Sequence, residues 1–329
     1  MTSEIKGIKP NKEKKAKSRK GGKSLVTPIL FLVMLIGLAI LLYPTFSDYW
    51  NSFHQSRMIM TYMEDVAKMD TSEYDHWIES ARAYNQKITD NGPNWLPKEE
   101  DMIAYNAEMA YAKDGNMGYI QIDKLKLMLS LYHGTSEKVL QTGIGHVEGS
   151  SLPVGSASWD SREGRLMDPS EGTHVVLSGH RGLPSAKLFS DLDKLVEGDI
   201  FLLTILNETY TYQVDQIRVV EPTDLSSLKI RKGWDYCTLV TCTPYGINTH
   251  RLLVRGHRVA NAMGDVKVVA DALQIRPINI VPFLALPVIA FLIVLMLIDT
   301  AVSSGRKKRM QRLRRLLSGN DADRNDQIE

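Results

Sequence analysis

The chain has 329 residues, of which 43% are hydrophobic and 24% are charged, with a formal net charge of +2. This composition excludes a disordered or collagen-like chain, and it leaves room for one full domain with a hydrophobic core or for two small ones. Only two cysteines are present, Cys237 and Cys242, which excludes a disulfide framework and a zinc site built from cysteines.

Both ends of the chain are basic, and the middle is acidic. Residues 1–24 carry nine Lys or Arg against two Glu, and residues 304–329 carry eight against four acids. The ends therefore hold +7 and +4, which leaves −9 for the middle of a chain whose total is +2. Charge segregated in this way argues for a membrane and against a nucleic-acid-binding protein.

Two uncharged, apolar runs lie beside these basic ends. The run 25–46 has about the length that a helix needs to cross a bilayer, and a second run covers 277–298. Because basic residues flank both runs on their outer sides, the positive-inside rule predicts a two-span protein of the cell membrane. Both termini, 1–24 and 299–329, are then cytoplasmic, and the part between the spans is extracellular. A cleaved signal peptide is the alternative for the first run, and a buried core helix for the second.

Residues 47–115 are predicted to form a helical extension. Apolar residues between 74 and 88 recur at helical spacing behind a cap at Ser72, and the turn signals at 91–93 end that helix. A second, short helix is expected to begin at Pro97, because proline is favoured at a first helical position.

After Gly115 the pattern changes to short runs rich in β-branched and aromatic residues, separated by turn signals. Without long helices between them, these runs predict an antiparallel barrel or sandwich over residues 116–262, followed by a linker at 263–276. The polar stretch 155–172 is too irregular for a strand and is predicted to be a surface loop. The predicted strands are 118–122, 127–132, 174–178, 199–206, 210–219, 236–243 and 251–259.

The two cysteines fall in one β-rich run. Five residues of extended strand separate their Cα atoms by about 16 Å, whereas a disulfide spans roughly 4.4–6.8 Å. An odd separation also turns the two side chains to opposite faces of the strand. Cys237, in mid-strand, is interpreted as a small buried hydrophobe. Cys242 directly precedes the turn signals Thr243-Pro244, and a free thiol kept outside the cell at such a rim is better explained as a nucleophile.

A cysteine nucleophile needs a cation or an imidazole nearby, because its ordinary pKa of about 8.5 leaves only a few per cent thiolate at neutral pH. His180 is favoured because it follows a strand inside the turn-like segment 179–182, although a structural histidine is the alternative. Arg251, just past the Cys242 turn, presents a fork of donors to a developing oxyanion, and its alternative is a salt-bridging arginine. Residues alone do not select among the six histidines of the predicted barrel, which are His133, His146, His174, His180, His250 and His257.

Four stretches between residues 117 and 259 carry a family resemblance. They are MGYIQI, YHGTSEKVLQTGIGHVEGSSLPVG, THVVLSGHRGLPSAKLFSDLDKL and TLVTCTPYGINTHRLLVRGHR. They resemble the sortases, cysteine transpeptidases of Gram-positive cell surfaces, and in particular the class C members that assemble pilins. The resemblance implies a mainly β fold, with a closed eight-stranded sortase-type barrel, an N-terminal helical extension and two flanking transmembrane helices. By position it implies His180, Cys242 and Arg251 as the catalytic residues.

The resemblance also implies a reaction and its partners. Substrates are pilins or surface proteins with an LPXTG-like sorting signal, cleaved between Thr and Gly through a thioester on Cys242, and the acceptor is a pilin lysine amine. No cofactor and no metal are expected. Open alternatives are a housekeeping-type sortase that uses a cell-wall precursor amine, a hydrolytic cysteine protease, and a catalytically silent membrane scaffold.

Two departures from the class C pattern leave questions open. Class C members usually place an Asp-Pro-aromatic lid over the cysteine, whereas this chain has Asn91-Gly92-Pro93-Asn94-Trp95 in that region. Trp95 is the lid candidate, but autoinhibition is left open because no Asp precedes the proline. An Asp-Pro pair occurs only at 168–169, inside the 155–172 stretch, for which a substrate or partner contact and a neutral insertion are both open.

Overall fold

The structure is a computed structural model and describes residues 26–183 and 185–261, together with residues 291, 292, 295, 302, 305, 306 and 308–313. The chain divides into two compact units, residues 1–42 and residues 43–329. The predicted tail 1–24 and linker 263–276 lie outside the described residues, and so do all but three residues of the predicted span 277–298.

The first helix, α1, covers Val26–Lys68 and includes most of the first predicted membrane span. Within the part of the chain that the structure describes, no helix has both the length and the apolar character that a membrane crossing requires. The two membrane-spanning helices therefore stay predictions.

Two further helices precede the sheet. α2 covers Thr71–Asn91 and ends at Gly92, in agreement with the predicted stop, and α3 covers Glu99–Ala107. The predicted cap at Ser72 is wrong, because the Asp70 carboxylate accepts a hydrogen bond from the Glu73 backbone amide at 2.8 Å and caps the helix two residues earlier. Ser72 lies inside the first turn, where the free N–H groups that a cap satisfies already have Asp70 as a partner.

The helices of the second unit share one hydrophobic core with the sheet. Tyr62 of α1 accepts a hydrogen bond from the Leu206 amide and donates one to the Met117 carbonyl. The Asn85 side chain of α2 both donates to the Leu152 carbonyl, at 2.9 Å, and accepts from its amide. The helical extension is thus fastened to the sheet by apolar packing and by satisfied buried polar groups. The residues that α1, α2 and α3 contribute to this core are Ile59, Tyr62, Val66, Ile78, Ala81 and Tyr105.

Eight strands close into a barrel in the order β1-β2-β3-β6-β9-β10-β8-β7, and β4 and β5 form a separate hairpin. This architecture confirms the mainly β fold and the eight-stranded barrel. Each of the seven predicted strands is present, and the three-residue β3 was missed. The bounds are β1 Asn116–Ile122, β2 Leu127–His133, α4 Glu137–Thr142, β3 Ile144–His146, β4 Trp159–Asp160, β5 Arg165–Leu166, β6 Thr173–Ser178, β7 Ile200–Ile205, β8 Glu208–Val220, β9 Asp235–Thr243 and β10 His250–Val259.

The expectation of a purely antiparallel sheet is wrong. β2 pairs with β3 in parallel, and β6 pairs with β9 in parallel. Parallel neighbours need a crossover connection, which α4 supplies between β2 and β3 and which the β7–β8 hairpin supplies between β6 and β9. The second parallel pair places the end of β6 beside the end of β9.

The prediction of an irregular loop over 155–172 is wrong, because this stretch contains two short strands, β4 and β5. Its β4–β5 hairpin buries Leu166, and the Arg258 guanidinium lies 4.6 Å from the ring centroid of Trp159. The hairpin leads into Thr173, the first residue of β6, whereas His180 follows the last residue of the same strand. A six-residue strand is about 20 Å long, so this hairpin lies at the barrel end away from His180.

Candidate active site

The barrel brings the three predicted catalytic residues to one end of three neighbouring strands. Cys242 of β9 and Arg251 of β10 are directly opposite each other in the antiparallel register. Side chains of such a pair point to the same face, with Cβ atoms about 4.5–5.5 Å apart. β6 runs parallel to β9 with Ser178 beside Val240, so His180, two residues further on, reaches the level of Cys242.

The two cysteines face opposite sides of the barrel wall, as their spacing predicts. Cys237 is fully buried in the core, whereas Cys242 is half-buried, and both are free thiols. Burial raises the pKa of the Cys237 thiol well above its ordinary value, with a smaller contribution from Asp235, so its nucleophilic thiolate is strongly disfavoured. The interpretation of Cys237 as a packing residue is confirmed.

A groove runs along the outer face of the barrel and is lined by Arg251, the register partner of Cys242. The cavity measures about 150 Å³, and Arg251 and Ser178 are among its polar lining residues. Its floor is the apolar cluster Val176, Leu228 and Leu253. The segment between β8 and β9 also forms one wall through Asp224 and Leu225. The groove therefore offers an apolar surface that leads to a guanidinium.

Trp95, the lid candidate, packs against this apolar cluster and lines the same cavity as Arg251. Its neighbour Asn94 donates its backbone N–H to the Gly149 carbonyl at 3.1 Å, and the Asn94 side chain donates to Asp101 of α3 at 3.0 Å. Gly149 has φ +80°, and a Cβ there would lie 1.8 Å from the Asn94 carbonyl oxygen. The segment preceding α3 is thus held at a position that only a glycine at 149 permits.

His180 is fixed by its backbone and approached by one carboxylate. The Phe189 amide donates to the His180 carbonyl at 3.1 Å, and the Thr241 hydroxyl donates to the neighbouring Gly179 carbonyl at 2.8 Å. The Nε2 atom of His180 lies 3.6 Å from Oε2 of Glu137, a residue that the sequence reasoning did not single out. No hydrogen bond joins His180 to Cys242 among the described residues.

Arg251 is free to receive a ligand. Its Nη1 donates to the carbonyls of Asn248 and His250, at 3.3 and 3.2 Å, and these contacts hold the side chain over the β9–β10 turn. Within the described ranges no carboxylate pairs with Arg251, so the alternative of a salt-bridging arginine is not supported. A guanidinium has five N–H donors, which leaves several for an oxyanion.

The other histidines of the barrel occupy different positions. His146 is fully buried, and desolvation lowers its pKa to about 3. His174 is almost fully buried, and desolvation lowers its pKa to about 4. His250 pairs with Glu221 at 3.2 Å, and His257 lies 3.8 Å from Asp215. Desolvation also lowers the pKa of His133. Of the six candidates, His180 therefore fits best, because it alone follows β6 beside Cys242.

A larger cavity of about 260 Å³ lies between α2 and the residues around Gly155 and Thr173. None of the three predicted catalytic residues lines it, and it lies at the same barrel end as the β4–β5 hairpin. Among the described residues, no group of three or more His, Cys, Asp or Glu is arranged to hold a metal ion.

Comparison with known proteins identifies the family to which the barrel belongs. A family model for the sortase domain matches residues 120–259. The structure is similar to the crystal structure of sortase C1 from Streptococcus agalactiae, with 57% identity and a TM-score of 0.57, over 62% of this chain and 99% of that chain. It is also similar to Streptococcus pneumoniae sortase C, with 40% identity and a TM-score of 0.51, over 62% and 97% of the two chains.

A more distant relative is sortase D of Bacillus subtilis (strain 168), 26% identical over 145 residues, which are 43% of this chain. The match spans 63% of that relative's length. With a solved relative of 57% identity covered almost end to end, the chain belongs to the sortase family of cysteine transpeptidases, in class C.

Proposed function

We propose that this protein is a membrane-anchored sortase that cleaves an LPXTG-like sorting signal between Thr and Gly and transfers the acyl group to a pilin lysine amine. The observation that carries the proposal is the register pair of Cys242 and Arg251, with His180 at the same barrel end. The pilin acceptor is supported by the similar Streptococcus pneumoniae sortase C, whose structure bears on pilin substrate specificity.

The groove fits the N-terminal Leu-Pro part of such a signal. A Leu-Pro segment is apolar and extended, and the cluster of Val176, Leu228 and Leu253 offers it an apolar floor. A peptide that runs along this floor towards Arg251 brings its threonine carbonyl between the guanidinium and Cys242.

In the first half-reaction the Cys242 thiolate attacks the threonine carbonyl carbon, a C–S bond forms, and the carbonyl electrons move to oxygen. Arg251 stabilises that oxyanion with its free N–H donors. When the oxyanion collapses, the Thr–Gly C–N bond breaks, and His180 in its protonated form gives a proton to the departing glycine amine.

In the second half-reaction a lysine amine attacks the thioester. His180, now neutral, takes a proton from the incoming nitrogen, and the Cys242 thiolate leaves as the new amide forms. The enzyme returns to its starting protonation state, and no external reductant or cofactor enters the balance.

Membrane anchoring belongs to the same proposal. Sorting-signal substrates carry an apolar segment of their own, so an enzyme anchored through 25–46 and 277–298 meets them within one thin layer and at a raised effective concentration. The catalytic domain then faces the extracellular side. Trp95 covers the groove in this proposal and must move before a sorting signal enters.

The test is a transfer assay with the full chain in detergent, an LPXTG peptide, and either a lysine-bearing pilin domain or a cell-wall precursor amine. We expect mass spectrometry to find the peptide, cut after Thr, joined to the pilin lysine, with Cys242→Ala inactive. A product with the wall precursor alone would reassign the enzyme to surface-protein anchoring, and hydrolysis without transfer to either amine would contradict transpeptidation.

A further inference from the structure

Glu137 is the first residue of α4, the helix between β2 and β3, and its carboxylate lies near the side chain of His180. Its Oε2 atom lies 3.6 Å from Nε2 of His180, and its Oε1 atom accepts a hydrogen bond from the side-chain Nε2 of Gln141 at 2.9 Å. Gln141 lies one helical turn further along α4, so the helix itself fixes the direction of the carboxylate.

His180 has no competing partner on that side. Its Nε2 atom is buried and makes no hydrogen bond to any described residue, and Glu137 is the one described carboxylate within 4.0 Å of it. The next residue, Arg181, is already engaged by Asp193 at 2.6 Å and by the Thr243 hydroxyl at 3.1 Å. The Glu137 carboxylate is thus the group that can hold a proton on Nε2.

We propose that Glu137 is a positioning residue for His180, in that it keeps the proton on Nε2 and so assigns the acid and base steps to Nδ1. The inference rests on the proposed function of His180. When Nδ1–H has protonated the departing glycine amine, the neutral ring keeps Nε2–H towards Glu137. The lone pair on Nδ1 then takes the proton of the incoming amine.

The present distance is longer than a hydrogen bond. Catalytic contacts often shorten only when substrate binds, and a shift of about half an ångström brings Glu137 and His180 into range. The Glu137 side chain is 70% exposed, so the contact is screened by solvent and its effect is modest. A loss of about two- to fivefold in turnover is expected when the charge is removed.

The test uses the full chain and four variants: Glu137→Gln, Glu137→Asp, Gln141→Ala and, as a control, Glu163→Gln. Glu163 is exposed in the turn between β4 and β5, at the other end of the barrel. The rates of thioester formation and of transfer are measured against peptide and amine concentration, with two acceptors. One acceptor is a lysine-like amine, which is charged at neutral pH, and the other is hydroxylamine, which is not.

We expect Glu137→Gln to lower kcat of both half-reactions by the same two- to fivefold factor with either acceptor, with KM unchanged. Glu137→Asp should recover part of the rate, Gln141→Ala should show a smaller loss, and Glu163→Gln should match the parent. A loss confined to the charged amine, through its KM, would overturn the proposal and make Glu137 an ammonium-binding residue.

Unchanged rates in Glu137→Gln would also overturn the proposal, provided that the parent forms a thioester. If the parent forms none, the proposed function itself fails. The two failures are therefore distinguished by the parent enzyme alone.

Discussion

Arg251 of β10 is the register partner of Cys242 of β9. The pairing places the two side chains on the same face of two neighbouring strands. A barrel that is closed by eight hydrogen-bonded strands fixes the backbone at both positions. Oxyanion stabilisation depends on donors that are in place before the charge develops, and the role proposed for Arg251 rests on this arrangement.

Replacement of Arg251 should impair acyl transfer severely. The removal of one oxyanion donor typically lowers kcat by about 10²–10³-fold, and we expect that loss for Arg251→Ala. Arg251→Lys should also be poor, because an ammonium lacks the planar fork of donors. The measurement is steady-state cleavage of an LPXTG peptide, with Arg165→Ala of the β4–β5 hairpin as the control. Near-parental turnover in Arg251→Lys would remove the oxyanion role.

Trp95→Ala should open the groove. Trp95 lines the same cavity as Arg251, so its truncation should speed the alkylation of Cys242 by a small thiol reagent several-fold. Leu96→Ala is the matched control, because Leu96 is 90% exposed and should leave the rate unchanged. Labelling kinetics followed by mass spectrometry provide the measurement. Slower peptide acylation together with unchanged labelling would instead show that Trp95 is a wall of the substrate site.

Gly149→Ala should displace the segment that carries Trp95, because it disrupts the contact of this segment with Gly149. A Cβ at this position would lie 1.8 Å from the Asn94 carbonyl oxygen, and φ is +80°. Gly198→Ala is the control, because φ there is +94° and the Cβ would enter open space. Backbone strain alone costs about 1 kcal/mol, so Gly149→Ala should lower the free energy of unfolding by more than that and should raise Cys242 labelling. Equal effects of the two variants in denaturant titrations and labelling would contradict the account.

Stability should fall in mild acid because of buried neutral histidines. Desolvation lowers the pKa of His146 to about 3 in the folded state, against about 6.5 when unfolded. Below pH 6.5 the unfolded chain therefore binds more protons, and the contribution of His146 is complete above that pH and is lost as the pH falls towards 3. Its loss between pH 6.5 and pH 5 is about 2 kcal/mol, at about 1.4 kcal/mol per pH unit.

The check is the free energy of unfolding at pH 7 and pH 5 for the parent, His146→Gln and the exposed His76→Gln. The difference between the two pH values should shrink in His146→Gln and stay at the parental value in His76→Gln. An identical pH dependence in all three proteins would show that His146 does not titrate in this range. His174, whose pKa desolvation lowers to about 4, should act in the same direction.

The sequence predicts much of the barrel because alternation within a strand is a local property. The odd spacing of the two cysteines predicts that their side chains face opposite sides of the barrel wall. The bounds of all seven longer strands are predicted to within two residues. β3, with three residues, is too short for alternation to show. Parallel pairing of β6 with β9 was missed, because strand direction depends on partners that lie about 60 residues apart.

The site was only partly predictable for the same reason. Cys242 and its turn are neighbours in sequence, but the approach of Glu137 to His180 joins a helix start to the end of a strand 43 residues later. The place of Trp95 in the groove likewise depends on the contact of Asn94 with Gly149. Such contacts are set by tertiary packing, which spacing along the chain does not encode.

Intact-mass spectrometry of the full chain incubated with an LPXTG peptide and no amine acceptor, beside Cys242→Ala, tests directly whether Cys242 forms a thioester. Thioester formation at Cys242 should give a mass increase equal to the peptide cut after Thr, present in the parent and absent from Cys242→Ala. If Trp95→Ala also forms no adduct, a closed groove is excluded as the cause. An adduct that persists in Cys242→Ala, or no adduct in either the parent or Trp95→Ala, would contradict thioester chemistry on this signal at Cys242.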